Sequence, residues 1–223
     1  MKDKLISLFG KSWFDKLSSY LLSKEFLELG KTINNLRLER KIYPEGYNVF
    51  RSFKESNVED INVVFLINQR INQFYCHPVC ECESYSNSKL LRNWRRELIT
   101  EYPEIESRLL VKGTLDWQDM GYLRDQGIFF LNTQLTDDDR VGFKHEYLWK
   151  PFISQVVKVL TKDVDIIWVL LGDSCFKYEK LISLQSKVIK TPYPSLDKFV
   201  ENNGLFRKIN FELEKDGRKN IEW

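Results

Sequence analysis

No apolar run in this sequence of 223 residues approaches the roughly 20 residues that a membrane span needs. Met1-Lys2-Asp3-Lys4-Leu5 also lacks the apolar core and small-residue cleavage site of a secretory signal. The expectation is an intracellular protein, cytoplasmic or genome-associated, with no membrane partner. Repeats, low-complexity tracts and Pro/Gly/Ser-rich linkers are absent. That leaves one domain over 1–223, with residues 1–60 helical and packed on the same core. Excess charge is absent too: the formal net charge is +2, so a nucleic-acid binder would have to gather its positive charge on one face. Cysteine is scarce. Of four, three fall in the run Cys76-His77-Pro78-Val79-Cys80-Glu81-Cys82. Thiolates plus an imidazole suit zinc, but ligands packed so closely are sterically awkward and no second ligand pair occurs elsewhere. Free thiols in a reducing compartment are expected, with no metal and no cofactor.

What is present is ordinary in amount and informative in arrangement. A share of 43% hydrophobic and 30% charged residues suits a soluble chain that buries its core without disulfides. Trp13, Leu17, Tyr20, Leu21, Phe26, Leu27 and Leu29 recur at helical spacing, and Ile42-Tyr43-Pro44-Glu45-Gly46 reads as a turn. Four short apolar runs follow, Ile61 to Ile67, Gly127 to Leu131, Ile166 to Leu171 and Lys187 to Lys190, and helical stretches such as Lys89 to Thr100 and Leu148 to Leu160 lie between them. The alternation predicts an α/β fold: three layers, α/β/α, around a short, mainly parallel four-stranded sheet.

Ligands of open parallel sheets bind at the carboxyl ends of the strands. Here those ends read Asn68 and Gln69, then Asn132, then Gly172-Asp173-Ser174, then Thr191-Pro192-Tyr193-Pro194-Ser195. They carry amides, hydroxyls and tight turns with few strong acids or bases. Amides read hydrogen-bonding edges, nucleobases included, although the same residue types also simply end strands. Lys89, Arg92, Arg95 and Arg96 supply a basic segment in which 92, 95 and 96 share a helical stripe, which reads either as a phosphate-facing surface or as a solvated helix face. Asp137-Asp138-Asp139 is an acidic run, expected to be a solvated loop or a contact for a basic protein partner.

The order of these segments resembles family 1 uracil-DNA glycosylases over nearly the whole chain. Gln126 to Thr136, QGIFFLNTQLT, is similar to a family stretch QGVLLLNxxLT, and Val188 to Ser195, VIKTPYPS, to VLKAPHPS. Ser12-Trp13, Ile42-Tyr43-Pro44 with Val49-Phe50 and Phe53, Trp149-Lys150-Pro151-Phe152, Ile167 to Gly172, Gly204-Leu205-Phe206 and the ending Asn220-Ile221-Glu222-Trp223 resemble other family segments in order. The resemblance implies the uracil-DNA glycosylase fold, and it also locates departures from the family. Where the family has Gly-Gln-Asp-Pro-Tyr-His, this chain reads Ile67-Asn68-Gln69-Arg70-Ile71-Asn72. The family's Asp falls on Gln69, so its negative charge is lost. The Tyr that shapes the family's pocket falls on Ile71, the Phe that stacks on uracil on Glu81, and the His that stabilises the departing base on Tyr193, a phenol that can still donate. The uracil-reading Asn is kept as Asn132. Gly172, Ser174, Pro194, Ser195, Ser88 and Arg92 are the expected contacts to a nucleic-acid backbone, and Leu196 the expected wedge. Asp173 stands where the family has Ser, and it would repel a phosphate.

These readings imply a nucleic-acid-binding protein, for single-stranded DNA or RNA or as an accessory to replication or expression, with ordinary uracil excision lost or strongly weakened. Base-binding positions would be Asn68, Gln69, Glu81, Asn132 and Tyr193; Tyr75, Tyr85, Trp94 and Tyr193 could stack on bases. Two alternatives stay open. One is an active glycosylase with altered base preference, with Glu81 or Glu83 as acid–base group and Leu196 assisting base flipping. The other is a protein-interaction module. The Lys/Asn/Ile-rich usage hints at a viral or mobile-element source.

Overall fold

The computed structural model describes residues 1–69, 89–106, 121–138, 145–201 and 204–223. Its centre is a sheet of four parallel strands, β2 (Val63–Ile67), β3 (Ile128–Asn132), β5 (Ile167–Leu171) and β6 (Lys187–Thr191), in the order β3-β2-β5-β6. The register sets Ile67 beside both Asn132 and Leu171, and Leu171 beside Thr191, so all four strands end at one level. β2 and β5 are buried along their whole length, as their unbroken apolar runs require, while the edge strand β6 is half-exposed and carries lysines.

Alternation along the strands divides the core in two. Val64, Leu66, Phe129, Leu131, Trp168 and Leu170 face α1 (Lys2–Phe9), α2 (Lys11–Leu21), α3 (Lys24–Glu39) and α5 (Glu146–Leu160). Val63, Phe65, Ile67, Ile167, Val169 and Leu171 face α4 (Lys89–Glu101) and α6 (Leu205–Lys215). The helices bury stripes spaced for this purpose: Trp13, Phe14, Leu17, Tyr20 and Leu21 on α2, and Trp149, Phe152, Ile153, Val156, Val157 and Leu160 on α5. Ser23 caps α3 by accepting from the Phe26 N–H at 3.2 Å. Gly127 opens β3 at φ +85°, where a Cβ would come within 2.5 Å of the Asp60 carbonyl oxygen; only glycine fits there.

The three-layer expectation therefore holds, with strand ends displaced by a residue or two. Two readings are corrected. Ile42-Tyr43, expected within a turn, is the strand β1 (Ile42–Tyr43), paired antiparallel with β4 (Asp137–Asp138). Asp137 and Asp138, expected in a solvated loop, are 0% and 2% exposed. Their charges tolerate burial because each is hydrogen-bonded or paired. Asp137 accepts from the Asp138 N–H and from Gln134, and Asp138 lies 3.5 Å from the Arg40 guanidinium and 3.8 Å from His145 Nε2. Asp139 lies outside the described residues.

Candidate nucleic-acid interface at the carboxyl ends of the strands

The strand order reverses direction between β2 and β5, so the crevice above their carboxyl ends is the expected ligand position of such a sheet. With neighbouring strands about 4.8 Å apart, the residues after β3 and β6 stand roughly 14 Å from one another, with those after β2 and β5 between them. The first group of site residues thus sits at β3 and β2, the second at β5 and β6.

At β3 and β2, Asn132 is 2% exposed and its amide is engaged with the backbone of Gln69. The Gln69 N–H donates to Asn132 Oδ1 at 3.1 Å, and Asn132 Nδ2 donates to the Gln69 carbonyl at 2.8 Å. The Gln134 N–H adds a second bond to Asn132 Oδ1 at 3.3 Å. Gln134 Nε2 donates both to the Gln69 carbonyl and to Asp137 Oδ2, each at 3.1 Å. The carboxyl end of β2 is therefore pinned by two side-chain amides, and one buried carboxylate orients the second of them. Neither Gln134 nor Asp137 is anticipated from the sequence: Gln134 falls on a variable position of the resembling stretch, and Asp137 reads as a member of a charge run. Asn68 is half-buried, and among the described residues its Nδ2 has no partner; Thr133 Oγ1 is likewise buried without one.

At β5 and β6, Gly172 has φ +84°, and a Cβ there would meet the Tyr193 Cβ at 2.9 Å. The glycine lets Tyr193 close over the end of β5, where the ring is half-buried against the α4 side of the core. Ser174, exposed, lies in a short helical turn, Asp173–Phe176, with Asp173 exposed beside it. Pro194 is buried and Ser195 half-buried. The turn that follows is tied twice. The Leu196 N–H donates to the Tyr193 carbonyl at 2.9 Å, and Asn93 on α4 donates to the carbonyls of Pro194 at 2.9 Å and Leu196 at 3.2 Å. Leu196 itself projects at 44% exposure. Lys89 reaches Asp197 at 3.0 Å, so the start of α4 flanks the same turn.

α4 sorts its residues by face. Asn93, Trp94, Glu97, Leu98 and Glu101 point inward, whereas Arg92, Arg95 and Arg96 are exposed. The basic stripe is real and lies on the helix that holds the Leu196 turn. Trp94, expected as a base-stacking surface, is instead 3% exposed and packs against Phe65, Phe199 and Phe206; its position on the inward stripe decides this. Glu97 and Glu101 cap the start of α6, accepting from the N–H groups of Gly204, Phe206 and Arg207 at 2.9, 3.1 and 2.6 Å. Burial pushes the Glu101 carboxyl up to about 7, against the opposing pull of those N–H donors. Burial likewise pushes the Cys175 thiol up to about 12, which disfavours its thiolate form. Ile71, Tyr75, Glu81, Glu83, Tyr85, Ser88 and the run Cys76 to Cys82 lie outside the described residues.

No family model matches the chain. Full-length similarity to individual proteins is nevertheless consistent. A uracil-DNA glycosylase of Dictyostelium discoideum is 29% identical over all of this chain, which spans 62% of that protein, less than two thirds of its length. One from Streptococcus pyogenes is 26% identical over 95% of this chain and 97% of its own. The crystal structure of mimivirus uracil-DNA glycosylase superposes with a TM-score of 0.80 at 20% identity, covering 98% of this chain and 88% of that one. The chain is similar to uracil-DNA glycosylases over its whole length, which supports membership of their superfamily. A more distant neighbour, the enzyme from Nitratifractor salsuginis, gives a TM-score of 0.64 at 14% identity. Another mimivirus neighbour, a variant with a TM-score of 0.81 and 19% identity, was solved in complex with UGI. The fold agrees with that similarity: a parallel four-stranded sheet between two helical layers. Among the described residues no helix is long and apolar enough to cross a membrane.

Proposed function

We propose that the protein binds DNA and receives a base in the crevice above the carboxyl ends of β2 and β5, with uracil excision lost or strongly weakened relative to its superfamily. The observation that carries this reading is the Gln69 corner. Residues 67–80 contain no acidic side chain, and a neutral amide occupies the position where the resemblance expects an Asp. The Asn that the resemblance expects to read the base is kept as Asn132, while the negative charge that would stabilise an oxocarbenium-like sugar is replaced by an amide. Binding of the backbone would fall to Arg92, Arg95 and Arg96, and Leu196 would enter the stack as the base leaves it.

A second reading is supported by the comparisons: the relatives matched over nearly the full chain are named uracil-DNA glycosylases. An active enzyme would then draw its acid–base group from Glu81 or Glu83, or work with amides alone. One assay pair separates the two. Oligonucleotides carrying uracil or modified bases are incubated with the protein and scored for abasic sites, while binding to duplex DNA, single-stranded DNA and RNA is followed across a salt series. The expected result is salt-dependent binding with little or no base release, and base release that increases in the double variant Gln69→Asp, Tyr193→His. Strong uracil release by the unaltered protein would establish the second reading. Binding without salt dependence or strand preference would remove both.

A further inference from the structure

Hydrogen-bonding capacity can be counted at the Gln69 corner. The Gln69 carbonyl accepts from Asn132 Nδ2 and Gln134 Nε2, and Asn132 Oδ1 accepts from the N–H groups of Gln69 and Gln134. Both oxygens have thus filled their two lone-pair positions. Gln134 Nε2 spends its two N–H groups on Gln69 and Asp137. Asp137 is a buried carboxylate and can only accept, so it fixes which end of the Gln134 amide faces it. The Gln134 oxygen is thereby turned away from both. It is buried, on a side chain that is 0% exposed, and among the described residues no group donates to it. Asn132 Nδ2 has used one of its two N–H groups. The capacity left on this pair of amides is one donor on Asn132 and one acceptor on Gln134. The two side chains are neighbours, because both amide nitrogens sit on the same carbonyl oxygen.

We infer that Gln134, locked by Asp137, is a specificity-determining residue that supplies the acceptor half of base recognition, with Asn132 reduced to the donor half. A buried amide oxygen without a donor is unfavourable, and a ligand N–H that reaches it removes that cost. The complementary ligand edge carries an N–H beside a carbonyl, the imide edge of a pyrimidine; a ring nitrogen acceptor beside an amino group presents the reverse pattern and would leave like groups facing each other. Asn132 alone cannot impose this choice, since its own oxygen is committed to the Gln69 and Gln134 backbone. The inference rests on the base-binding reading above.

The test uses the full chain and duplex oligonucleotides that carry one mismatched deoxyuridine or deoxycytidine at the same position. The unaltered protein should prefer deoxyuridine by about 10-fold or more. Gln134→Met, similar in length but unable to accept in this geometry, should bring that ratio to within about threefold while the salt dependence stays unchanged. Asp137→Asn, which can still accept from Gln134 but no longer dictates its orientation, should fall between the two. A folded Gln134→Met protein that keeps the full preference overturns the inference, and so does equal binding of both bases by the unaltered protein. If the unaltered protein binds no DNA, the base-binding reading fails and the Gln134 lock is read separately, from side-chain amide exchange. Slow exchange of the Gln134 amide protons, accelerated at least 10-fold in Asp137→Asn, supports the lock; fast exchange in the unaltered protein overturns it.

Discussion

On one face of the sheet, Phe9, Trp13, Phe26, Phe53 and Phe152 interlock ring against ring, with centroids mostly between 4.9 and 6.0 Å apart. On the other, Trp94, Phe199 and Phe206 share the interior with the carboxylates of Glu97 and Glu101 and the amides of Asn93 and Asn210. The difference follows from what each face must do. The first joins helices to the sheet and also takes in Cys175, Tyr178 and Ile182 from the segment after β5. The second holds α4 against α6 and, through Asn93, the turn that presents Leu196. Apolar contacts are non-directional and tolerate small shifts, whereas hydrogen bonds fix a register. The polar face, through Asn93, is the one that positions the Leu196 turn.

The largest effect should come from the aromatic face. Phe152 is fully buried and meets Phe9, Tyr20, Phe26, Phe50, Phe53 and Trp149. Phe152→Ala should cost about 3–5 kcal/mol in urea unfolding, with base preference unaltered in whatever fraction stays folded. A change of preference without loss of stability would break the division between the two faces. Asn93→Leu on the polar face should cost less, about 1–3 kcal/mol, because it leaves the Pro194 and Leu196 carbonyls without their donor. Unlike Phe152→Ala, it should weaken DNA binding and speed proteolysis in 193–197.

A smaller, pH-dependent effect separates the faces again. Glu101, whose carboxyl is raised to about 7 by burial, holds a proton in the folded chain at pH values where the unfolded chain has released it. Its contribution is fully present below the ordinary carboxylate range near 4.5 and is lost as pH rises through about 7. Thermal unfolding should therefore occur at lower temperature at pH 8 than at pH 5, and Glu101→Gln should flatten that slope. A slope unchanged in the variant would assign the pH dependence elsewhere.

Much of this architecture is legible in the sequence, and the features that are not share a physical cause. Buried parallel strands announce themselves as short apolar runs, so β2, β3, β5 and β6 can be placed to within a residue or two, and the segment order points to the superfamily. Gln69, Asn132, Tyr193 and Leu196 stand out because strand ends and turns are local features. The burial of Asp137 and Asp138 does not, because it depends on Arg40, His145 and Gln134, which are supplied by other elements. Asn93 and Gln134 are silent in the sequence for the same reason: the worth of an amide lies in its partner, and the partner is distant along the chain. Trp94 is a different case. Its indole suggests a stacking surface, yet the spacing of Leu90, Trp94 and Leu98 already marks the inward stripe of α4.

The smallest effect on folding, and the most discriminating for the interface, belongs to the outer face of α4. Arg92 and Arg96 are exposed one turn apart on the helix whose inner face holds the Leu196 turn. Replacing both with Ala should move the unfolding free energy by no more than about 0.5 kcal/mol. If each contacts one phosphate, the slope of log affinity against log salt should fall by about 2, because each neutralised phosphate contributes close to one released counterion. The loss should be uniform across base identities, since phosphate contacts position the chain and carry no sequence information. An unchanged slope would make the stripe an ordinary solvated face. The polar side of the sheet would then position Leu196 without help from α4 charge, and the backbone grip would have to come from the turns after β5 and β6.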